Sequence, residues 1–149
     1  MNSTSIEYPK SHNIGGYADS FLNTWLNETI YNSMDADLKT IIQQTTITCT
    51  DGNNNPNGTK TSKCYLFLPS VKEVGFEDDI SGDYPYMDAI NKEGTVFDWF
   101  ANGGQISDKF WLRSSSSTYD TDFFRYDNGN IQVAQAYGGH MLYPVFIIG

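Results

Sequence analysis

An α+β fold is what this sequence predicts, and three observations carry it. Apolar residues recur at helical spacing near the N-terminus. The period changes to β-branched alternation at Thr45. From Phe110 onward the chain breaks into short strand signals around an Asn-Gly turn. Helices first, then many short strands with long loops, is the pattern of an α+β domain rather than of a wound parallel sheet.

Each element follows from its own residues. Residues 1–12 have no periodicity and read as a flexible tail, leaving 13–149 as the folded domain. Phe21, Leu22, Trp25, Leu26 and Ile30 form one apolar stripe, with Asp19, Asn23, Asn27 and Glu28 around it. A second helix places Met34, Leu38, Ile41 and Ile42 inward, with Asp35 and Asp37 near the positive end of its dipole. Thr45–Thr50 is a strand. Residues 51–62 read as a loop because Asp51-Gly52 and Asn57-Gly58 are strong turn pairs. Tyr65–Leu68 reads as a buried strand ended by Pro69. Ser70 and Glu73 have the spacing of a capping box over a short helical turn at 71–75. A short helix is expected over 87–92, and Asn102-Gly103-Gly104 is a turn. Strands follow at 110–114, 122–126, 131–136 and 143–148. Asp127-Asn128-Gly129-Asn130 closes the hairpin between the second and third of these. Pro144 belongs at a strand start or edge. Trp25, Trp99 and Trp111 are expected in the core.

The composition excludes several functions. Among 149 residues, 18 are acidic and 9 basic, for a net charge of −9. Nucleic-acid binding needs clustered cations to neutralise phosphates, and anionic membranes repel such a chain. No apolar run approaches the ~20 residues of a membrane helix, and the first residues lack the apolar segment of a secretory signal. Cys49 and Cys64 flank the polar loop. Two readings stand: unpaired, half-buried thiols, or a hairpin disulfide worth ~3 kcal/mol.

Catalytic chemistry is thin. A nucleophile needs a base in reach, and His12 and His140 are the only histidines. There is no GxSxG elbow, no CxxC and no phosphate-loop spacing, so an enzyme is not expected, nor any cofactor. Asp51, Asn53 and Asn55 alternate as in calcium loops but lack the bidentate Glu of an EF-hand. The cluster Glu77, Asp78, Asp79 and Asp83 reads as a solvated acidic loop, and no metal is expected. Arg113, in an apolar strand, must be paired if buried; Asp122 is a candidate partner.

Several segments in order, GGYADSFLNTWLN, LKTII, CYLFLPSVKEV, FWLRSS, FFRYDNGNI and YPVFII, resemble a domain family of unknown function from phage, prophage and gut-bacterial surface proteins. The likeness covers about residues 13–149. It departs at Tyr143-Pro144, where the family tends to carry Arg-Pro. The resemblance implies a C-type-lectin-like fold, similar to the variable proteins of diversity-generating retroelements, with two N-terminal helices packed on short antiparallel strands. It further implies a displayed, variable ligand face over 114–143, on a virion or a cell surface. The composition there is independently suggestive, because Tyr supplies contact area at low entropy cost while Ser, Gly and Asn supply adaptable hydrogen bonds. The candidate ligand-binding residues are Ser116, Tyr119, Asp120, Asp122, Phe124, Tyr126, Asn128, Asn130, Gln132, Gln135, Tyr137, His140 and Tyr143. On alternating strands, Phe124 and Tyr126 share one face and Phe123 and Arg125 the other, so one set is core and the other a surface platform. The expected function is a non-enzymatic binding module for a receptor or glycan on a cell surface, with oligomerisation left open. The alternative is a structural subunit of a phage tail or cell-surface assembly.

Overall fold

Ser20 opens the first helix. Its hydroxyl accepts from the Asn23 N–H at 3.2 Å, which satisfies one of the donors a helix start leaves unpaired. The helix runs through α1 (Phe21–Trp25), a π-helical stretch (Leu26–Ile30) and a last turn, α2 (Tyr31–Ser33). Asp35 then caps α3 (Ala36–Ile41), its carboxylate accepting from the Asp37 N–H. Among the described residues seven short strands follow: β1 (Ile42–Gln43), β2 (Thr45–Thr50), β3 (Thr59–Cys64), β4 (Lys109–Ser115), β5 (Asp122–Asp127), β6 (Asn130–Gln135) and β7 (Ile147–Ile148). A 3₁₀ turn at Ile90–Lys92 and the short helix α4 (Asp98–Ala101) lie between β3 and β4. This computed structural model describes residues 12–53, 55, 58–76, 89–116, 121–136 and 139–149. The fold is α+β, with every strand pair antiparallel: β1–β7, β2–β3, and β4–β5–β6 with β5 central.

The three-stranded sheet divides the interior into two cores. One gathers Tyr17, Leu22, Leu26, Ile47, Leu66, Leu68, Trp111 and Phe123 beneath the first helix. The other holds Val71, Ile90, Phe110, Leu112, Phe124, Tyr126 and Ile131. Strand β5 is therefore covered on both faces. This corrects the expectation that one face of Phe123–Tyr126 is a surface platform: Phe123, Phe124 and Tyr126 are each buried to within 2%. Tyr126 stacks on Phe110 at 4.8 Å, and its hydroxyl accepts from the Ile106 N–H at 3.0 Å.

The predicted hairpin forms as read. Asn128 and Gly129 take φ of 48° and 95°, the two left-handed positions of a type I′ turn, with Asp127 opposite Asn130. The capping box also forms, Ser70 Oγ accepting from the Glu73 N–H at 3.1 Å and Glu73 Oε1 from the Ser70 N–H at 3.0 Å. Other readings need correction. The strand after the polar loop is Thr59–Cys64, because Asp51 to Gly58 alone closes the turn (Asp51 N–H to Gly58 O, 3.0 Å). Its alternating polar side chains suit a ribbon with one wet face. Tyr65–Leu68 keeps only a bridge between Phe67 and Val145; the amides of Tyr65 and Leu66 donate instead to the Asn27 side chain. The second helix ends early, since Ile42 pairs with Ile148 in β7, and Ile41 is left 41% exposed. Cys49 and Cys64 sit opposite Lys60 and Thr45, on rungs far apart in the ribbon, and are free thiols. Trp111 is fully buried, but Trp99 is not: it is 62% exposed on α4.

Arg113 is buried to 1% and ties the two cores together. Its guanidinium meets the Glu73 carboxylate twice, at 2.5 and 3.2 Å, and also donates to the carbonyls of Leu68, Thr48 and Glu93. Asp122 is not its partner. The Arg113 N–H bonds the Pro69 carbonyl at 2.9 Å, which brings the capping box, and with it Glu73, alongside the strand. The buried Glu93 carboxylate accepts from the Thr50 N–H at 3.0 Å. Burial pushes this carboxyl up to about 7, against the opposing pull of Arg113. A carboxyl raised in the folded state favours folding while protonated. Its contribution is whole below the ordinary value of 4.5 and is lost as pH climbs to about 7. Glu93→Gln should therefore match the wild type at pH 4.5 and become progressively more stable than it towards pH 7.5. Urea midpoints measured across that range check this, and parallel profiles would contradict it.

Candidate functional site

Three pieces of chain converge beside the β5–β6 hairpin. The start of β4 brings Ser107, Asp108 and Lys109, the turn brings Asn128, and the segment before the last strand brings Gly139, His140 and Met141. Together they line a cleft of about 390 Å³. Backbone pairing fixes all three: the Asn128 N–H donates to the Asp108 carbonyl at 3.0 Å, and the Trp111 N–H to the Met141 carbonyl at 3.1 Å. The Tyr143 hydroxyl donates to the Asp108 carboxylate at 2.5 Å, which holds that side chain at the rim.

Arg125 lies under the cleft, on the same face of β5 as Phe123. Its guanidinium donates to Gln132 Oε1 at 3.0 Å and contacts Asp127 at 3.4 Å and His140 Nε2 at 3.4 Å. A guanidinium has no acceptor, so the histidine contact requires a lone pair on Nε2 and hence a neutral ring. Partial burial, and then the charges of Arg125 and Lys109, hold His140 below the usual histidine range, in the same direction. The ring packs edge-on against buried Trp111, with centroids 4.6 Å apart. The site therefore offers a neutral imidazole, an ammonium on Lys109 that lies 3.9 Å from the Asp127 carboxylate, an amide on Asn128 and a carboxylate on Asp108. These are groups that orient a polar ligand, and Nε2 is already engaged rather than free to take a proton.

Of the residues named from sequence, this geometry brings together Asn128, Gln132, His140 and Tyr143, two in the lining and two as supports. Asn130 and Gln135 are exposed at the two ends of β6. Ser116, Asp122, Phe124 and Tyr126 are interior and cannot touch a ligand. Ser116 and Asp122 instead build the frame: their carbonyls accept from the buried Asn13 side chain at 3.0 and 2.8 Å. Tyr119, Asp120 and Tyr137 lie outside the described residues, as does the acidic cluster of Glu77, Asp78, Asp79 and Asp83. Sequence reasoning missed Ser107, Asp108, Lys109, Arg125, Gly139 and Met141. Arg125 carried a signal, as a cation within the apolar run FFRYD. Asp51, Asn53 and Asn55 do line a second hollow with Asp19 and Lys60, but the Lys60 ammonium already supplies the positive charge there, bridging to Asp19 at 2.5 Å.

A family model described as Domain of unknown function (DUF6273) matches residues 2–149. The chain belongs to the DUF6273 family. No curated protein and no solved structure matches it. Within this DUF6273 domain, the Gly-Gly-Tyr start has a steric reason. Gly16 has φ of 62°, and a Cβ there would run into the Thr50 carbonyl, so the chain can pass this close to β2 only without a side chain.

Proposed function

We propose that this domain is a non-enzymatic binding module, C-type-lectin-like in architecture, that presents the cleft between Asp108, Asn128 and His140 to a receptor or glycan on a cell surface. The observation that carries the reading is the convergence of three separate segments on one polar concavity, held by backbone pairing to a sheet that is packed on both faces. A rigid scaffold carrying adaptable polar groups at its loop tips is the usual design of a recognition surface. Two helices beside short antiparallel strands, joined by long loops, support the lectin-like architecture. The state of the nucleophiles supports a module without catalysis. Burial pushes the Cys49 and Cys64 thiols up to about 12 and about 11, so neither supplies a thiolate at neutral pH. Display on a virion or bacterial surface, with variation at the hairpin and cleft, belongs to the same proposal.

The test is a triple variant, Lys109→Ala with Asn128→Ala and His140→Ala, probed on an array of cell-surface glycans and against purified surface proteins. All three side chains are partly or well exposed, so the fold should hold, as near-ultraviolet circular dichroism can verify. Binding should fall on the order of tenfold or more. Unchanged binding would defeat the reading. The alternative, a structural subunit, draws on the exposed Ile41, Ile147 and Ile148 beside the β1–β7 pair. It expects the Ile148→Asp variant, rather than the triple variant, to change behaviour, by dissociating an oligomer in sedimentation.

A further inference from the structure

We infer that Trp99 is the platform of a second subsite, one that takes a neutral pyranose ring; this deepens the binding-module reading and rests on it. Trp99 is the most exposed large apolar side chain among the described residues, at 62%. Leaving so large a ring in water forgoes stabilisation.

This ring is held. The Phe97 N–H donates to the Glu73 carbonyl at 2.9 Å, which anchors the loop to the buried Arg113–Glu73 pair. The Gly104 N–H returns to the Trp99 carbonyl at 2.8 Å, and Gly103 takes φ of 86° to close the turn. A Cβ on Gly104 would collide almost equally with Nε1, Cε2 and Cδ1 of the indole. Such equal approach to three ring atoms means that Gly104 lies over the flat of the ring. Bare backbone therefore backs the pyrrole end of the ring on one side, while the residue as a whole stays 62% exposed.

The surroundings define the ligand. Asp98, Trp99, Asn102, Gly103 and Gly104 line a shallow hollow of about 420 Å³. Asn102 uses its amide N–H on the Asp98 carbonyl at 2.8 Å, which leaves its Oδ1 as an acceptor. The Asp98 carboxylate has no partner among the described residues and is a second acceptor. A ligand must thus bring a flat C–H face for the indole and donors at its edge. The axial C–H face and equatorial hydroxyls of a pyranose supply both. The Asp98 charge and the net charge of −9 oppose an acidic sugar. A quaternary ammonium is better held by several rings, and among the described residues a single ring lines the hollow.

The experiment is an array of neutral oligosaccharides probed with the full chain, followed by calorimetric titration of the strongest hit. Trp99→Ala should weaken binding on the order of tenfold or more. Trp99→Phe should retain most of it, whereas Gly104→Ala should lose it with the indole still present. Affinity unchanged by Trp99→Ala and by Gly104→Ala overturns the inference, as does retention of no neutral sugar or of a choline probe alone. The triple cleft variant, run beside these, separates the two claims. Loss there with Trp99→Ala silent removes this subsite and leaves the module, whereas loss in Trp99→Ala with the cleft silent removes the cleft and keeps the platform.

Discussion

Arg113→Met should destabilise the protein by about 3–5 kcal/mol, the cost of stranding one partner of a buried ion pair. Arg113 donates to four groups from separate stretches of chain, the carbonyls of Thr48, Leu68 and Glu93 and the carboxylate of Glu73. Methionine fills much of the volume but supplies no donor. Glu73, itself only 6% exposed, would be left among the described residues with the Ser70 amide as its carboxylate's one remaining partner. Arg113→Lys retains the charge and loses the fork, so it should fall between the two. Arg113→Met with Glu73→Gln should recover part of the loss, because the stranded carboxylate is gone. Guanidinium melts of the four proteins measure this. A single Arg113→Met variant within 1 kcal/mol of the wild type would mean that the pair is not what joins the two cores.

The second large effect is expected at Asn27. Its side chain accepts from the Tyr65 and Leu66 amides, at 2.7 and 3.0 Å, and donates to the Leu66 carbonyl at 2.9 Å. One amide group thus does for this segment what a neighbouring strand would otherwise do. Asn27→Leu leaves three backbone groups unanswered and should cost about 2–4 kcal/mol. Asn27→Asp keeps the acceptor but sets a carboxylate against the Leu66 carbonyl, so it should be damaging to a lesser degree. Hydrogen exchange locates the effect: the Tyr65 and Leu66 amides should lose protection in Asn27→Leu and keep much of it in Asn27→Asp. Uniform exchange across the chain in both variants would contradict the assignment.

These two residues also mark the limit of what a linear reading can reach. Local signals were legible because their physics is local. The Asn128-Gly129 turn and the Ser70–Glu73 box each depend on residues a few positions apart and formed as expected; of the stripe Phe21, Leu22, Trp25, Leu26 and Ile30, Leu22 and Leu26 are buried, Trp25 and Ile30 are partly buried, and Phe21 faces out at 53%. Burial of Arg113 was also readable, since a cation among Phe110, Trp111 and Leu112 has nowhere else to go. Its partner was not, because Glu73 is 40 positions away and is brought alongside by tertiary pairing, the Arg113 N–H on the Pro69 carbonyl. The same reasoning explains Tyr65–Leu68. An apolar run signals burial, which was right, but not whether its amides go to a strand or to a side chain from a helix. Trp99 misled because hydrophobicity alone argues for the interior, and nothing local says that a turn will hold the ring outside. The candidate cleft was half legible. Asn128, Gln132, His140 and Tyr143 stand in or beside it, while Phe124 and Tyr126 were lost to a second core that strand alternation cannot reveal.

The double-sided packing of β5 bears on how this domain can evolve. Between Ser114 and Tyr126 most described positions are enclosed, so a mutational process sweeping the C-terminal region would spend many of its changes on molecules that never fold. Among the described residues of this region, the positions open to change are the outward teeth of β6, the tip of the hairpin and the rim near His140. Sequence change that keeps the fold would then arise as a sparse comb of substitutions on an unyielding frame, and a library designed on this domain gains most by randomising those teeth.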